Sequence, residues 1–538
     1  MRIDPIRISN QNKLVSDYRQ MKDNVMEFFD YSPFSSFEQR VNDLKRRNFD
    51  RIGLTEVLHK INKEWSAPKS TLQSIERLKD TDSVVVVAGQ QAGLLTGPMY
   101  TINKIISILQ LAKQRESKQQ IPVVPVFWIA GEDHDFDEIN HIYLPEESRM
   151  RKYKVKQQGA GKSSVSHIGM DKEEVTIWLN QLFTQLEEAA YTNELYTSIM
   201  ACLEQSRSYT DFFARLIFQL FPDEGLVLMD SAHPLVRELE KSYFVQLIEK
   251  QSLISSEVNK TLEKLKAYGY SVPLDVDENS ANLFYHRDNE RVLLMRNSEN
   301  NWVGKQNEVV LSTKELIRIA ENKPELLSNN VVTRPLMQEL LFPTLAFVGG
   351  PGEISYWSAL KPVFESFNIK MPPVLPRLSF TYIDRKVEKV LERFDLSIEP
   401  VVNHGLENYK HEWLKSKSEP PIQDLADQLK KAIETAHAPI RDLAQEIRSD
   451  IGELAEKNLD YLYKDVEFIE GRIIKAVEEK YKRELRELDY IQLTLRPDGF
   501  QERTWNPLPF INKYGLDFIK ATTNYECSFS EEHYLVYL

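Results

Sequence analysis

Four valines in a row, Val84–Val87, lead through Ala88 straight into Gly89, Gln90 and Gln91. An apolar run without polar alternation predicts a strand buried on both faces. Behind it, Ile102, Ile105, Ile106, Leu109 and Ala112 fall on one face of a helix predicted over 100–115. The same apolar texture returns in PVVPVFWIAG (122–131), GLVLMD (225–230) and TLAFVGG (344–350), with helical periods between. Buried strands alternating with helices predict an α/β core built on a mainly parallel sheet covered on both sides. Residues 17–82 read as helices leading into the first strand.

Two stretches break this pattern and read as insertions. Residues 145–170 are polar and short in period. Residues 270–312 hold LFYHRDNERVLLMR, two alternating segments around Arg287-Asp288-Asn289, which predicts a hairpin. Ser312 then caps a helix over TKELIRIAEN. From about residue 386 a new texture begins. Leu425, Leu429, Ile433, Ala436, Ile440, Leu443, Ile447, Ile451 and Leu454 step by three or four, and a second series runs from Leu459 to Leu488. Two such seams predict an antiparallel helical hairpin or coiled coil, its first arm kinked or interrupted at Pro439. The expected organisation is a core over 1–385, a helical domain over 386–495 and a C-terminal segment, 496–538, packing back on the core.

A chain of 538 residues needs more than one domain, and 42% apolar residues suffice to fill their cores. Its net charge of −13 would repel phosphate backbones, which argues against nucleic acid as a partner. Cys202 and Cys527 stand alone without metal-type spacing, which excludes a disulfide framework and suits a reducing cytoplasm. No apolar signal core or bilayer-length apolar run is present, so no membrane role is expected.

The predicted strands all end in chemistry. The first leads to Gln90, Gln91 and Thr96, the second to Asp133, His134 and Asp135, the third to Asp230 and His233, the fourth to Gly350 and Glu353. In an open parallel sheet the carboxyl ends share one rim, where ligands bind. The glutamines therefore mark the lip of a crevice. Asp133, His134 and Asp135 are the candidate catalytic group, a histidine between carboxylates that can orient it as a base. A divalent metal on this cluster is the competing reading, although its spacing matches no metal signature. Arg334 and Arg377, beside prolines, are candidate carboxylate clamps. Tyr490, Arg496, Trp505, Asn506 and Lys513 are the candidate stacking and phosphate-binding set for a nucleotide. GAGKSS (159–164) imitates a P-loop but lacks the glycine required at Lys156 and follows no buried strand, so a flexible basic loop is expected.

Taken together, GQQAGLLTGP, FWIAGEDHDFDEINH, RPLMQELLFPTLAFVGGPGEISYW and RTWNPLPFINKYG resemble the cysteine-adding enzymes of bacillithiol biosynthesis, the BshC family, almost end to end. The resemblance implies a Rossmann-like core with connective insertions, a dimerising coiled coil, and a ligase that joins cysteine to glucosaminyl malate in the last step of the pathway. It also implies kinship with nucleotidyltransferases and class I aminoacyl-tRNA synthetases, whose histidine–glycine motif is replaced here by GQQAGLLTGP. A free carboxylate resists attack by an amine, and activation by ATP, as an acyl-adenylate or acyl-phosphate, is the usual solution, so ATP or ADP with magnesium is the candidate cofactor, with the consumption of ATP left open. Glycine-loop N–H groups with Gln90 and Gln91 would stabilise the oxyanion, His134 would take the amine proton, and Arg377 or Arg334 would hold the malyl carboxylates. The competing classes are a metal-dependent hydrolase or nucleotidyltransferase, and a non-catalytic dimeric scaffold.

Overall fold

A computed structural model of the chain describes residues 1–538 apart from 10, 158–160, 162 and 289. Five parallel strands form the central sheet: β1 (Val84–Gln90), β2 (Val123–Ile129), β3 (Val227–Asp230), β4 (Thr344–Gly349) and β5 (Val374–Pro376), in spatial order 5-4-1-2-3. Every residue of β2 is buried, and only Gln90 of β1 is not. That is the burial a two-sided cover imposes on β-branched runs. Helix α1 (Met99–Gln119) lies against the sheet, buried from Thr101 to Ala112.

Register decides which side chains meet. Val84–Gln90 stand opposite Val123–Ile129 one for one, and Val126–Ile129 opposite Val227–Asp230, so Gln90, Ile129 and Asp230 are level. On the other side Val87 pairs with Phe347 and Gly349 with Pro376, which levels Gly89 with Gly349 and sets Arg377 just beyond. The strand order reverses around β1, so its carboxyl end is the switch point of the sheet.

The chain divides into two compact units. The first holds residues 1–144, 151–382 and 501–538. Arg2–Ile6 pairs antiparallel with His533–Tyr537 in this unit. It also contains the predicted hairpin, Ser280–Arg287 with Glu290–Arg296, whose turn includes residue 289 outside the described set. The stretch predicted as a polar insertion opens on paired strands, His141–Glu146 and Arg149–Lys154. Half of the P-loop imitation, residues 159, 160 and 162, lies outside the described set.

The second unit, residues 145–150 and 383–500, is helical apart from its first segment. Two long helices, α2 (Ile422–Ile447) and α3 (Ser449–Lys480), pack antiparallel, tied by Arg441–Glu456 at 3.0 Å, Lys430–Glu467 at 3.1 Å and His437–Asn458 at 3.1 Å. Pro439 does not interrupt α2, because the loss of one ladder bond is outweighed by packing along the arm. The chain turns at Arg448, so Ile451 and Leu454 begin the second arm and do not end the first. The intrachain seam buries Ala426, His437, Ala444, Leu459 and Val466. Much of the predicted leucine and isoleucine stripe is exposed in the chain: Leu429, Ile440, Leu443 and Ile447, with Phe468 on the other arm.

Candidate functional site

The loops that leave β1, β2 and β4 gather their polar groups on the carboxyl rim, as register requires. Gly89 has to be glycine: a Cβ there would stand 2.9 Å from the Trp128 carbonyl oxygen and 3.7 Å from an Arg334 nitrogen. Gly131 opens the loop after β2, where a Cβ would overlap Ser166 Oγ and Asp230 Oδ1.

Beneath Gln90 lies Lys104, a residue of α1 that sequence reasoning missed. Its ammonium is buried and donates to Gly89 O at 2.7 Å, Gln90 Oε1 at 2.8 Å and Glu353 Oε2 at 2.6 Å. Burial pulls its pKa down, with Glu353 opposing that shift. Glu353 also accepts from Gly350 N at 2.8 Å, closing the first turn of the helix Pro351–Trp357. The signal was a lysine inside the apolar period of 102–112; only an ammonium with all three protons matched is tolerated there.

The two glutamines are wired in opposite senses. Lys104 donates to Gln90 Oε1, which leaves the Gln90 amide N–H2 as the group it can offer. Gln91 Nε2 donates to Asp133 Oδ2 at 2.6 Å and to Glu138 Oε2 at 2.8 Å, which leaves its carbonyl oxygen. Gln90 is therefore left with amide N–H groups to donate, and Gln91 with a carbonyl oxygen to accept. The expectation that both stabilise an oxyanion is corrected for Gln91, whose donors are already taken.

Asp133 Oδ1 also accepts the His134 backbone N–H at 2.7 Å. The His134 ring stands 3.7 Å from Asp133 Oδ1 and 3.5 Å from an Arg291 guanidinium nitrogen. Arg291 is the second residue missed: it comes from the inserted hairpin, is buried, lies 3.7 Å over the Phe284 ring and donates to Asn329 O at 2.6 Å. Asp135 is exposed and starts the short helix Phe136–Ile139 without capping it. Below the loop, Arg237 is buried between Glu132 at 2.5 Å and Glu240 at 2.6 Å. Burial raises the Glu240 carboxyl to about 7, against the pull of Arg237. His286 is driven down to about 3 by burial and by the Arg237 and Arg291 charges, so it stays neutral.

The two candidate clamps part company. Arg377 is buried and bidentate to Glu502, at 2.5 and 2.7 Å, so its reading as a free carboxylate clamp is corrected. Asn103 and Ser379 also donate to Glu502, at 2.7 and 2.8 Å. Arg334 Nη2 donates to the Tyr356 hydroxyl, and no carboxylate among the described residues pairs with its guanidinium. Burial, with Glu353 adding to it and Arg334 opposing, raises Tyr356 to about 12, so it stays a neutral phenol.

Thr96 is buried and lines a cavity among residues 95–96, 191–220 and 506–517, not the Gln90–Glu353 group. Of the candidate nucleotide residues, Tyr490 and Arg496 belong to the helical unit and Trp505, Asn506 and Lys513 to the sheet unit. Tyr490 donates to Asp384 at 2.7 Å and Arg496 to Val402 O. The Asn506 amide donates to Leu95 O at 3.0 Å and Gly97 O at 2.8 Å and accepts from Leu508 N. Trp505 is buried, and Lys513 stands over the Tyr514 ring. Tyr490, Arg496 and Asn506 are thus engaged with partners inside their own units. Among the described residues, no three His, Cys, Asp or Glu side chains are placed to hold a metal ion.

The Glu502–Arg377 pair yields a pH test. Burial pushes the Glu502 carboxyl up, but Arg377 and the Ser379 hydroxyl outweigh it, and the net shift is below the ordinary 4.5. A depressed carboxyl stabilises the fold fully above its unfolded pKa and loses that contribution as pH falls through its folded pKa. Glu502→Gln should therefore melt lower than the parent at pH 7, and the gap should narrow below about pH 4.5, read by thermal melts at a series of pH values. A gap that does not change with pH would contradict this.

A switch-point rim that carries a buried lysine, an amide donor and a histidine–carboxylate group is that of a Rossmann-like enzyme acting on small molecules. Comparison with known proteins places it further. Residues 1–378 match the family described as bacillithiol biosynthesis BshC, N-terminal Rossmann-like domain, and residues 380–538 match its C-terminal coiled-coil domain. Relatives named "Putative cysteine ligase BshC" are 43% identical in Oceanobacillus iheyensis, 40% in Bacillus licheniformis and 39% in Bacillus cytotoxicus, each covering 100% of both chains. The chain belongs to the BshC family of bacillithiol biosynthesis. The coiled-coil match runs to residue 538, yet residues 501–538 fold with the sheet unit.

Proposed function

We propose that the protein is a ligase that joins the cysteine carboxyl to the amino group of glucosaminyl malate, the last step toward bacillithiol. The opposed wiring of Gln90 and Gln91 carries this reading. Amide formation makes a C–N bond at the carboxyl carbon, breaks a C–O bond there and takes a proton from nitrogen. The oxygen developing negative charge needs a donor, which Gln90 supplies; the attacking N–H needs an acceptor, which Gln91 supplies. His134, beside Asp133, takes the proton. Arg334 with Tyr356 offers a fork and a phenol to a malyl carboxylate.

Activation by ATP with magnesium remains the expectation carried into the test. Purified protein is mixed with cysteine and glucosaminyl malate, with and without ATP and magnesium, and the products are weighed by mass spectrometry. Product at the summed mass less one water is expected, and its dependence on ATP reports how the carboxyl is activated. Its absence in every arm, with cysteine and glucosaminyl malate both shown to bind, would refute the ligase assignment. The family names and the rim support this reading over a metal-dependent hydrolase, nucleotidyltransferase or scaffold.

The exposed Leu429, Ile440, Leu443, Ile447 and Phe468 further support a homodimer through the helical arms, since a soluble monomer seldom leaves such a stripe uncovered. Sedimentation should give a dimer, and Leu443→Glu with Ile447→Glu a monomer. A monomeric parent at micromolar concentration would refute it.

A further inference from the structure

Toward the far end of α1, within the sheet unit, lies a second cavity, of about 440 Å³, that the proposed reaction does not use. Arg115, on its wall, stands eleven residues past Lys104, about 16 Å along the helix at 1.5 Å per residue. Three distant parts of the chain meet there: Phe34 and Phe37, the last turns of α1, and residues 526–530. The last of these is pinned to the others. Gln110 Oε1 accepts from Cys527 N at 3.0 Å, and Gln114, one turn on, donates to Cys527 O at 3.0 Å. The Tyr534 hydroxyl accepts from Ser528 N at 2.8 Å and donates to Ser528 O at 3.0 Å. Ser528 and Ser530, their hydroxyls 2.7 Å apart, therefore reach the cavity as exposed side chains on a fixed backbone.

Arg115 is the residue that the fold leaves unanswered. Its guanidinium is half-buried, 4.0 Å over the ring of Phe37, which also lines the cavity. No carboxylate or carbonyl among the described residues accepts from it, and burial pulls its pKa down with no neighbouring acid opposing the shift. A guanidinium taken partly out of water without an acceptor is costly, so facing a cavity it calls for an anion. Lys118, also on the wall, lies in the last turn of α1, where a cation is favoured anyway, and alone it marks nothing. Glu526 lines the cavity too, but its carboxylate pairs with neither cation. Phe34, Phe529 and Leu375 of β5 complete the lining with apolar surface.

We propose that this cavity is a binding site for a phosphate monoester with a planar aromatic body, its phosphate held by Arg115, Lys118 and the two serine hydroxyls. A dianion matches two cations where a carboxylate matches one, and a phosphate has oxygens enough for a planar fork, an ammonium and a hydroxyl together. The volume leaves room beyond the phosphate, and the Phe34 and Phe529 side chains offer it an aromatic face. The site stands apart from the rim and does not rest on the ligase reading.

The test titrates the full-length protein with phenyl phosphate, benzoate and inorganic phosphate by calorimetry. Phenyl phosphate should bind one to one, about tenfold more tightly than either of the others. Arg115→Met keeps an apolar stem on Phe37 but removes the fork, and should weaken phenyl phosphate by about tenfold or more. Arg334→Met, at the rim, should leave that affinity unchanged. Ser530→Trp, at an exposed position, should fill the cavity and abolish binding, and serves if the methionine variant fails to fold. Circular dichroism checks the folding of each. No saturable binding of phenyl phosphate, or benzoate or inorganic phosphate bound as tightly, would overturn the proposal. So would affinity kept in Arg115→Met or Ser530→Trp, or lost in Arg334→Met. No readout uses ligase activity, so failure here and failure of the ligase assignment are separable.

Discussion

Lys104→Met should lower kcat for amide formation by about 10²–10³-fold, the loss that follows removal of one oxyanion donor. The methionine keeps the length and apolar stem of the side chain but ends the donation to Gln90 Oε1. The Gln90 amide is then free to turn, and the N–H2 that the proposed mechanism directs at the oxyanion is no longer held in place. The same change leaves Glu353 without its ammonium, 2.6 Å away, and should reduce stability by about 3 kcal/mol, as breaking a buried pair does. Two effects in one variant need separating. Adding Glu353→Gln removes the orphaned charge, so the double variant should recover melting temperature while kcat stays low. If kcat recovers together with stability, Lys104 is a structural residue and its role in positioning Gln90 is refuted.

Arg334→Met should raise KM for glucosaminyl malate by roughly a hundredfold, the equivalent of about 3 kcal/mol in lost charge-assisted hydrogen bonds, with a much smaller change in kcat. Arg334 is singled out because its guanidinium meets a neutral phenol, whereas Arg377 is already neutralised by Glu502. Arg334→Lys should rescue only part of the loss, since a point charge cannot reproduce the planar fork. Steady-state kinetics in both substrates checks the assignment. An equal rise in KM for cysteine, or a fall in kcat alone, would move the carboxylate site elsewhere.

Stability and function meet at the same few residues, which shapes how such variants are read. Glu502 comes from the last 38 residues of the chain, 501–538, and braces Arg377 at the edge of the sheet. It looks in sequence like any acid before an aromatic segment. Asn506, in the same segment, holds the loop after β1 in its left-handed turn. Loss of either side chain should therefore disturb the rim from a distance of more than a hundred residues along the chain.

How much of this was legible beforehand follows from the range of each interaction. The Val84–Val87 run, the helix behind it and the polar residues past each strand end are local patterns, and the parallel sheet with its rim follows from them. So do the hairpin over 280–296 and the presence of two helical arms. Lys104, Arg237 and Arg291 escaped notice because a buried charge is recognisable only with its partners, and those lie on other elements. The apolar period places the boundary between the arms several residues late, since the turn at Arg448 has no glycine or proline to announce it.

By itself the sequence determined the α/β class, the strands and the set of residues brought to one rim, because periodicity and strand polarity are properties of the chain. Which of those residues stay available was decided only by tertiary structure. Gln90 is a donor because Lys104 lies beneath it; Gln91 is an acceptor because Asp133 and Glu138 take its protons. Arg334 is open to a carboxylate and Arg377 is not, because only one of them folds against a glutamate. Hydrogen-bonding capacity is finite, and the fold settles which part of it remains.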